Sequence, residues 1–592
     1  MKKLLNRRQL IQRAFAGAGA VTLPITLTAC GGSDDQNETA AADLQFLHGV
    51  ASGDPLQDKV ILWTRVTVAD LSLRIELEWE IALDRDFKNI QNSGKVQTSN
   101  AQDFTVKVDA DKLKANQRYF YRFKFGEVLS PAGQTKTLAE VNTALDKVSF
   151  AVCSCSNYPA GYFHVYKEMA KLDVDAVLHL GDYIYEYGQG GYAAEDAESL
   201  GRELAADNNK ETISLTDYRK RYALYRLDAD LQALHQRHPF IVIWDDHELS
   251  NDTWLEGAEN HQANEGSFIE RKAAALKAYF EWMPIRAKNE NDYLHIFRQF
   301  NYGNLVQLNM LDTRMIARSK QLDYADYMDT AGNLDGAKFM TDLASASRML
   351  LGQDQLAWLG SALGASSAKW NVLGQQVLMA KMHIPAEILA LLAQVQSGTA
   401  GAAELNRIKQ IIAELTMIKM QYLADPSKLT AEQIARIRTA VPYNLDAWDG
   451  YAYEREHLYS ILKQLKKQVV VLAGDTHNAW HSELFAQDGI QAGIELAVSS
   501  VSSPGMEKYL QISTEDLRSF EQAFNLLIDE LQYCNLNQRG WLLVEFNPDE
   551  VRSNWMFVDS VKTKSYQLDA ASEKIMSFDP KMKQIKTVSK SA

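Results

Sequence analysis

The sequence predicts an α/β domain, in which buried strands alternate with helices, preceded by a small all-β domain. Two observations lead to this prediction. Between residues 46 and 140, apolar and polar residues alternate with a period of two over short runs, which is typical of half-buried strands in a β-sandwich. From residue 145 to 592, short continuous apolar runs alternate with segments of helical spacing, as in strands buried on both faces.

The period-two pattern is clearest in three runs of the first domain. Apolar side chains alternate with polar ones from Leu71 to Ile81, from Phe104 to Val108 and from Tyr119 to Phe125. Because Asp, Asn, Gly and Pro separate these runs, we expect short antiparallel strands joined by turns.

Five apolar runs of the second domain are predicted to be buried strands, with helices between them. These runs are 148–152, 176–180, 240–244, 305–310 and 469–473. A segment from about residue 385 to 438 is rich in Ala, Leu and Lys at helical spacing and lacks chemistry-bearing motifs. We interpret this segment as a helical insertion.

The composition limits the possible functions. The chain has 592 residues, 46% hydrophobic and 23% charged, so two or more globular domains are expected. Its net charge of −14 disfavours a general binder of nucleic acid or of anionic membranes. Positive charge for phosphate chemistry must then come from metal ions or from a few arginines.

Residues 1–30 are interpreted as an export signal and residues 31–45 as a flexible linker. The pair Arg7-Arg8 precedes a mildly apolar run from Ala14 to Ala29, which is too short for a membrane span and resembles a twin-arginine signal. An amphipathic helix is the alternative. Cys30 follows Leu27-Thr28-Ala29 as in a lipobox, so it is the expected lipidation site. We expect the twin-arginine machinery to export the protein to the periplasm or cell surface, with lipid as its sole membrane contact.

Four cysteines are too few for a disulfide scaffold in an exported chain of this length. Twin-arginine export carries folded proteins, so a metal can be bound in the cytoplasm before export. A cysteine thiolate that serves as a metal ligand fits this route. Cys153 is interpreted as a small core residue, and a Cys153–Cys534 disulfide is the alternative.

Polar residues directly follow each of the five predicted buried strands, where ligand sites of α/β sheets form. Carboxylate, imidazole, phenolate and thiolate groups at successive strand ends favour a metal site over isolated helix caps. The segments are Cys153-Ser154-Cys155-Ser156-Asn157, Gly181-Asp182-Tyr183-Ile184-Tyr185-Glu186, Asp245-Asp246-His247-Glu248 with Asn251 behind it, Leu311-Asp312-Thr313-Arg314 and Gly474-Asp475-Thr476-His477.

The order Gly-Asp, Asp-His-Glu and Gly-Asp-x-His resembles the calcineurin-like metallophosphoesterases, and more narrowly the PhoD-type alkaline phosphatases. The resemblance runs from about residue 46 to 575. It implies a fibronectin-like domain before a four-layer sandwich domain, and a site with Fe³⁺ and Ca²⁺. The narrower resemblance rests on 48–55 with 60–65, on Ser154-Cys155, on 179–188, on 244–248 and on 446–451.

The resemblance also implies roles for single residues. Asp182 would bridge both metals, and Cys155, Tyr185 and His477 would complete the iron site. Asp246 and Asp475 would provide oxygen ligands for calcium. Three further residues are implied near the substrate: His247 as the general acid, Asn251 as a further metal ligand or phosphate contact, and Arg65 as a phosphate contact with a surface salt bridge as the alternative.

The implied reaction is hydrolysis of phosphate mono- or diesters by a metal-activated hydroxide, for phosphate scavenging, in a monomer. A phosphodiesterase of the phospholipase D or teichoic-acid type would use the same site. A non-catalytic surface lipoprotein is the alternative from another class. A serine-nucleophile alkaline phosphatase is disfavoured because the sequence contains no Asp-Ser-Ala run.

Overall fold

The computed structural model describes residues 44–289, 292–329, 334–389, 402–509, 513, 515–581 and 583–588. The predicted signal with Arg7-Arg8 and Cys30, and residues 31–43 of the predicted linker, lie outside this range. Leu44 is buried and Gln45 pairs with Thr67, so the folded chain includes the last two residues expected in the linker.

Strands β1 to β8 precede the α/β region and β9 to β24 form it. The first group is β1 (Val50–Gly53), β2 (Val60–Arg65), β3 (Arg74–Ala82), β4 (Ile90–Ser99), β5 (Thr105–Ala110), β6 (Arg118–Phe125), β7 (Val128–Leu129) and β8 (Gly133–Lys136). The second group is β9 (Val148–Cys153), β10 (Ala176–His179), β11 (Pro239–Val242), β12 (Arg298–Tyr302), β13 (Val306–Met310), β14 (Trp370–Gly374), β15 (His383–Pro385), β16 (Ala440–Pro442), β17 (Val469–Ala473), β18 (Ala479–Phe485), β19 (Gln491–Ala497), β20 (Leu531–Asn535), β21 (Arg539–Phe546), β22 (Val551–Val558), β23 (Lys574–Asp579) and β24 (Gln584–Thr587).

The α-helices of the described residues all follow β9. They are α1 (His164–Met169), α2 (Ala197–Leu200), α3 (Leu215–Arg226), α4 (Ala229–Arg237), α5 (Phe268–Trp282), α6 (Gly336–Leu343), α7 (Gly352–Ala365), α8 (Ala402–Ala424), α9 (Ala431–Arg438), α10 (Ala452–Leu465), α11 (Met506–Tyr509) and α12 (Leu517–Leu527). None of the helices in the described range is long and apolar enough to cross a membrane.

Two large sheets build the α/β region. The first has ten strands in the order β24-β23-β22-β21-β9-β10-β11-β1-β2-β5, and the second has seven in the order β12-β13-β14-β17-β19-β18-β20. Strands β9, β10 and β11 run parallel in the first sheet, as do β13, β14, β17 and β19 in the second. The five predicted buried runs correspond to β9, β10, β11, β13 and β17, which confirms them as strands.

The two sheets stack face to face between outer helices. Val470 and Leu472 of β17 belong to a core shared with the first sheet. Val469 and Val471 belong to a second core with α7 and α10, because successive strand residues point to opposite faces. Helices α3, α4 and α5 contribute to the first core. This helix–sheet–sheet–helix order is the four-layer sandwich that the family resemblance implies.

The N-terminal β region forms a sandwich that shares a sheet with the rest of the molecule. One layer contains β4, β3, β6, β7 and β8, and the other contains β1, β2 and β5. β1 pairs in parallel with β11, with Ser52 opposite Pro239 and Gly53 opposite Phe240. Strands β3, β5 and β6 confirm that the three period-two runs form strands. This junction is not visible in the sequence pattern, because Val50–Gly53 is too short to show a period.

The segment predicted as a helical insertion contains α8 and α9 within its described residues. Strands β15 and β16 flank these helices and pair antiparallel with each other. Residues 390–401 lie outside the described range.

Candidate metal and active site

The predicted ligands meet where the carboxyl ends of the two stacked sheets face each other. Cys155 and Asp182 follow β9 and β10 of the first sheet, and His477 follows β17 of the second. One ligand atom from each of these three residues lies within 4.8 Å of the others. The sequence pattern predicts such residues at the edge of one sheet, whereas the structure brings them together from two sheets.

Four of the predicted ligands have a left-handed backbone conformation, which residues other than Gly rarely adopt. The φ angles are +60° for Cys155, +56° for Asp182, +63° for Asp475 and +63° for His477. Such conformations cost about 1–3 kcal/mol each and cluster at functional sites. The first turn is held by the Cys155 amide, which donates to the Gly181 carbonyl at 3.1 Å.

A thiol, a carboxyl, a phenol and an imidazole form the first candidate metal group. The Tyr185 hydroxyl lies 3.2 Å from Asp182 Oδ2 and 3.1 Å from His477 Nε2. The second ring nitrogen of His477, Nδ1, is 2.7 Å from the Pro504 carbonyl and donates to it. Nε2 is therefore the nitrogen that faces the group. All four side chains, including that of Cys155, are buried.

The donor atoms of this group are suited to a metal ion. Asp182 Oδ1 is buried, and it has no hydrogen-bond partner among the described residues. An orphaned carboxylate oxygen in such a place is costly unless a cation or proton satisfies it. Asp182 also belongs to a second group with Asp246 and His247. Its position between two groups is the one expected for a bridging ligand.

Carboxylates form a third candidate group beside the first two. Asp245, Asp246 and Asp475 bring one oxygen each within 4.8 Å of the others. The buried guanidinium of Arg314 donates to Asp245 at 2.5 Å and to Asp475 at 2.9 Å. It also contacts Asp446 at 2.8 Å. Arg314 thus offsets part of the negative charge gathered at this edge.

His247 is oriented by a buried carboxylate. Its Nδ1 lies 2.7 Å from Glu186 Oε2, and its ring stacks on Tyr185 with centroids 4.1 Å apart. The other oxygen of Glu186 accepts from the Asn251 amide at 2.8 Å and from Asn260 Nδ2 at 3.1 Å. This leaves Nε2 of His247 as the nitrogen able to donate a proton.

A second carboxylate holds the turns that carry these residues. Glu248 accepts from the amides of Asp182 at 3.0 Å, Tyr183 at 2.5 Å and Asp245 at 2.7 Å. Gly181, with φ +107°, lets the two turns approach each other, because a Cβ there would lie 2.4 Å from that of Asp245. Burial raises the pKa of Glu248 to about 7.

Burial raises the pKa values of two acidic candidate ligands, a shift that a bound cation opposes, and lowers the pKa of the imidazole ligand, which favours its metal-binding form. Burial raises the pKa of Cys155 and of Tyr185 well above their usual ranges, and the Asp182 carboxylate adds to both shifts. Burial also lowers the pKa of His477 to about 3. A multivalent cation stabilises the deprotonated thiolate, phenolate and carboxylate, and neutral imidazole is the metal-binding form.

His247 has the opposite shift from His477. Burial by itself lowers its pKa, but the carboxylates of Asp246, Glu186 and Asp182 outweigh burial and raise the pKa well above the usual range. His247 is therefore disposed to carry a proton, as a general acid must.

Two predicted substrate contacts have other partners in the structure. Arg65 donates to the Asp103 carbonyl at 2.9 Å and to its carboxylate at 3.0 Å, at the end of β2 that lies beside the start of β1. Since β1 runs parallel to β11, this is the sheet edge away from the carboxyl ends, and the salt-bridge interpretation describes Arg65. The side-chain amide of Asn251 donates to Glu259 at 2.5 Å. The backbone amide of Asn251, rather than its side chain, donates to Glu186, the carboxylate that orients His247.

The three cysteines within the described residues are free thiols. Cys153 is buried on β9 and its Sγ lies 3.8 Å from the Leu178 carbonyl. Cys534 lies on β20 of the other sheet, so the alternative of a Cys153–Cys534 disulfide is wrong. Cys155 remains available as a ligand.

Several residues that shape the site have no role predicted from the sequence. Four of them belong to the strand-end segments named above: Glu186, Asp245, Glu248 and Arg314. Their roles depend on partners that are distant in the chain, as Glu186 and His247 are 61 residues apart. Ser503, which donates to the Tyr185 hydroxyl at 2.7 Å, follows no motif. For Ser503, the sequence contains no signal that identifies it.

Comparison with known proteins agrees with this architecture. Residues 150–555 match the family model described as PhoD-like phosphatase, and residues 32–139 match the model of its N-terminal domain. Alkaline phosphatase D of Bacillus subtilis (strain 168) is 36% identical over 553 residues, covering 90% of this chain and 83% of the relative. A solved structure of PhoD superposes with a TM-score of 0.72 at 31% identity, covering 92% of both chains.

The fold, the site and these matches define a phosphoric ester hydrolase of the alkaline phosphatase type. The chain belongs to the PhoD-like phosphatase family, whose two models together match both its β region and its α/β region.

Proposed function

We propose that this protein is an exported phosphatase that hydrolyses phosphate esters at a centre of Fe³⁺ and Ca²⁺, in the service of phosphate scavenging. Lipid on Cys30, added after twin-arginine export, would hold it at the membrane. The observation that most supports the metal centre is the convergence of Cys155, Asp182, Tyr185 and His477 in one buried group.

The first group suits ferric iron. Thiolate and phenolate are anionic donors that favour a highly charged transition metal ion, and imidazole complements them. Tyr185 is positioned for this role by Ser503, and His477 by the Pro504 carbonyl. In both cases a neighbouring group orients the proposed ligand through a hydrogen bond, as is usual at metal centres.

The carboxylate group suits calcium. Asp246 and Asp475 of this third group, with Asp182 of the first two groups, offer oxygen donors, which calcium prefers over nitrogen or sulfur. Backbone contacts support this placement, since the Asp252 amide donates to Asp246 Oδ2 at 2.7 Å and leaves Oδ1 for other partners.

When bound, the two cations supply Lewis acidity, which activates water and neutralises the phosphate oxygens. The chain's own residues do the rest. Glu186 holds His247 by Nδ1, so that Nε2 delivers a proton to the ester oxygen as that oxygen leaves phosphorus. Water supplies the oxygen that replaces it, and the products are phosphate and an alcohol.

Two substitutions test this assignment. Asp182→Ala should lose metal and activity together, because Asp182 belongs to two of the candidate groups. His247→Ala should keep most of its metal and lose roughly 10²–10⁴ in rate on alkyl phosphates, as expected for a missing general acid. The loss should be much smaller on nitrophenyl phosphate, whose leaving group needs little protonation.

Elemental analysis and kcat on both ester types would be measured for the same preparations. Equal impairment of His247→Ala on both esters, with metal retained, would show that His247 is not the acid. If hydrolysis survives in both variants, the active site lies elsewhere.

A further inference from the structure

The guanidinium group of Arg314 lies among three carboxylates that come from different parts of the chain. Arg314 follows β13, and its side chain has no exposed surface. Its Nε donates to Asp245 Oδ1 at 2.5 Å, its Nη1 to Asp446 Oδ1 at 2.8 Å and its Nη2 to Asp475 Oδ1 at 2.9 Å. Each nitrogen of the guanidinium group therefore holds a different carboxylate.

These contacts connect the two stacked sheets. Asp245 follows β11 of the first sheet, whereas Asp475 follows β17 of the second. Together with Asp246 they form the third candidate metal group. Asp246 Oδ1 lies 3.7 Å from Nη2 of Arg314. One buried side chain thus bridges the sheets at the point where their carboxylates meet, and the separation of those carboxylates depends on it.

Asp446 anchors the guanidinium group of Arg314. Among the residues that the structure describes, Asp446 belongs to none of the candidate metal groups. Its carboxylate also accepts from Arg318 and, at 2.7 Å, from Gln321 Nε2. Two arginines and an amide thus satisfy this carboxylate. By contrast, Asp245 Oδ2 is buried without a hydrogen-bond partner in the described part of the chain, so Arg314 leaves one oxygen of Asp245 for a cation.

We propose that Arg314 is a positioning residue for the calcium site: its planar guanidinium group holds Asp475 of the second sheet at a fixed distance from residues 245–246 of the first. This inference rests on the proposed calcium centre. Because Arg314 has no exposed surface, it acts through the carboxylates and does not contact the phosphate ester. Hydrogen bonds to the outer side of metal ligands commonly set metal affinity in this way.

The position and the charge of Arg314 have opposite effects on calcium affinity. A fixed positive charge beside the site repels the cation, whereas carboxylates held at the right separation bind it more tightly. Lysine carries the same charge as arginine, but its single nitrogen lacks the planar fork that bridges several carboxylates. Arg314→Lys therefore keeps the charge and removes the positioning.

Isothermal titration calorimetry would measure calcium binding to the full-length, iron-containing protein after a chelator has removed its calcium. We expect Arg314→Lys to raise the Kd for calcium by about tenfold or more, as is typical when a metal ligand loses its outer hydrogen-bond partner. Iron content and the visible band should be retained, because the side-chain partners of Arg314 lie outside the group proposed for iron.

Asp446→Asn is a second variant, which decides the question if Arg314→Lys does not fold. It keeps the shape of the anchor and removes its charge. We expect the Kd for calcium to rise by about threefold or more, because a charged hydrogen-bond partner of Arg314 is replaced by a weaker, neutral one.

Arg202→Lys is the matched control. Arg202 is also buried and pairs with Asp228 at 2.5 Å, but within the described residues both lie outside the candidate metal groups. It should change the Kd for calcium by less than about twofold, because distant sites act independently.

The outcomes distinguish the positioning role from the calcium centre on which it rests. If the wild type binds calcium and the folded variants of Arg314 and Asp446 keep its Kd, Arg314 is not a positioning residue, and the calcium centre stands. Equal weakening by Arg202→Lys, or loss of iron together with calcium in Arg314→Lys, would also overturn the positioning role. A wild type that binds no calcium would overturn both.

Discussion

At the scale of single residues, the Glu186–His247 pair is the proposed source of the general acid. The carboxylate both orients the ring and, with Asp246 and Asp182, raises the pKa of His247 against the effect of burial. In the proposed mechanism His247 donates only while protonated, so we expect the rate to fall as pH rises through the pKa of His247. A carboxylate that raises this pKa extends activity toward alkaline pH.

Replacing Glu186 by Gln should therefore lower the pKa of His247 and move the alkaline fall in kcat to lower pH. At alkaline pH we expect roughly a tenfold loss on an alkyl phosphate, since general acid catalysis contributes more than this when it is intact. The measurement is kcat against pH. Glu259→Gln is the control, because Glu259 contacts the Asn251 side chain rather than His247. An unchanged profile in the Glu186 variant would contradict the assigned role.

The sequence identified the residues that converge but not their supports. Cys155, Tyr185 and His477 could be found because strand-end motifs mark them. Glu248 and Arg314 form hydrogen bonds with residues at the ends of other strands. Such pairs cannot be identified from the sequence, because they depend on how the strands and sheets are arranged. The sequence left two interpretations of Arg65 open, a phosphate contact and a surface salt bridge, and strand direction places Arg65 at the other sheet edge, where it pairs with Asp103.

At the scale of elements, the left-handed turns after β9, β10 and β17 bring the candidate ligands together. Buried apolar runs predict where these strands end, so the location of the turns could be read from the sequence. Their conformation could not, because Cys155 and His477 are residues that seldom adopt positive φ. The close approach of turns from neighbouring strands enforces it.

Gly181→Ala tests this close approach. The new Cβ would lie 2.4 Å from the Asp245 Cβ, at a φ of +107°, so we expect destabilisation of about 2 kcal/mol or more and loss of activity. Gly489→Ala is the matched control, since φ there is +77° with open space around it. It should cost about 1 kcal/mol and retain activity. Thermal unfolding would measure both, and equal effects on stability and activity would contradict the account.

At the scale of the whole molecule, the N-terminal β region is part of the scaffold of the α/β region. Besides the β1–β11 pairing, the Trp63 indole donates to the Glu281 carbonyl at 2.8 Å, and Arg298 binds the Asp54 carboxylate at 2.7 Å. The sequence pattern predicted an all-β region followed by an α/β region, and the structure has both. It could not show that they share a sheet, because pairing across nearly 190 residues leaves no local periodicity.

Removing residues 1–139 should therefore destabilise the α/β region that remains. It would leave the edge of β11 unpaired, and exposed strand edges promote aggregation. We expect the truncated chain to aggregate or to unfold at a markedly lower temperature than the full chain, as judged by size-exclusion chromatography and calorimetry. A monomeric, fully active truncated protein with unchanged Tm would contradict this prediction.

The proposed centre of iron and calcium is tested most directly by metal analysis together with the visible spectrum, before and after a calcium chelator. We predict about one iron per chain and a broad charge-transfer band from the Tyr185 phenolate, as thiolate and phenolate donors favour a ferric ion. The chelator should remove calcium and activity while iron and colour remain, and added calcium should restore activity. Tyr185→Phe should lose the band. A colourless, iron-free and fully active wild type would contradict the account.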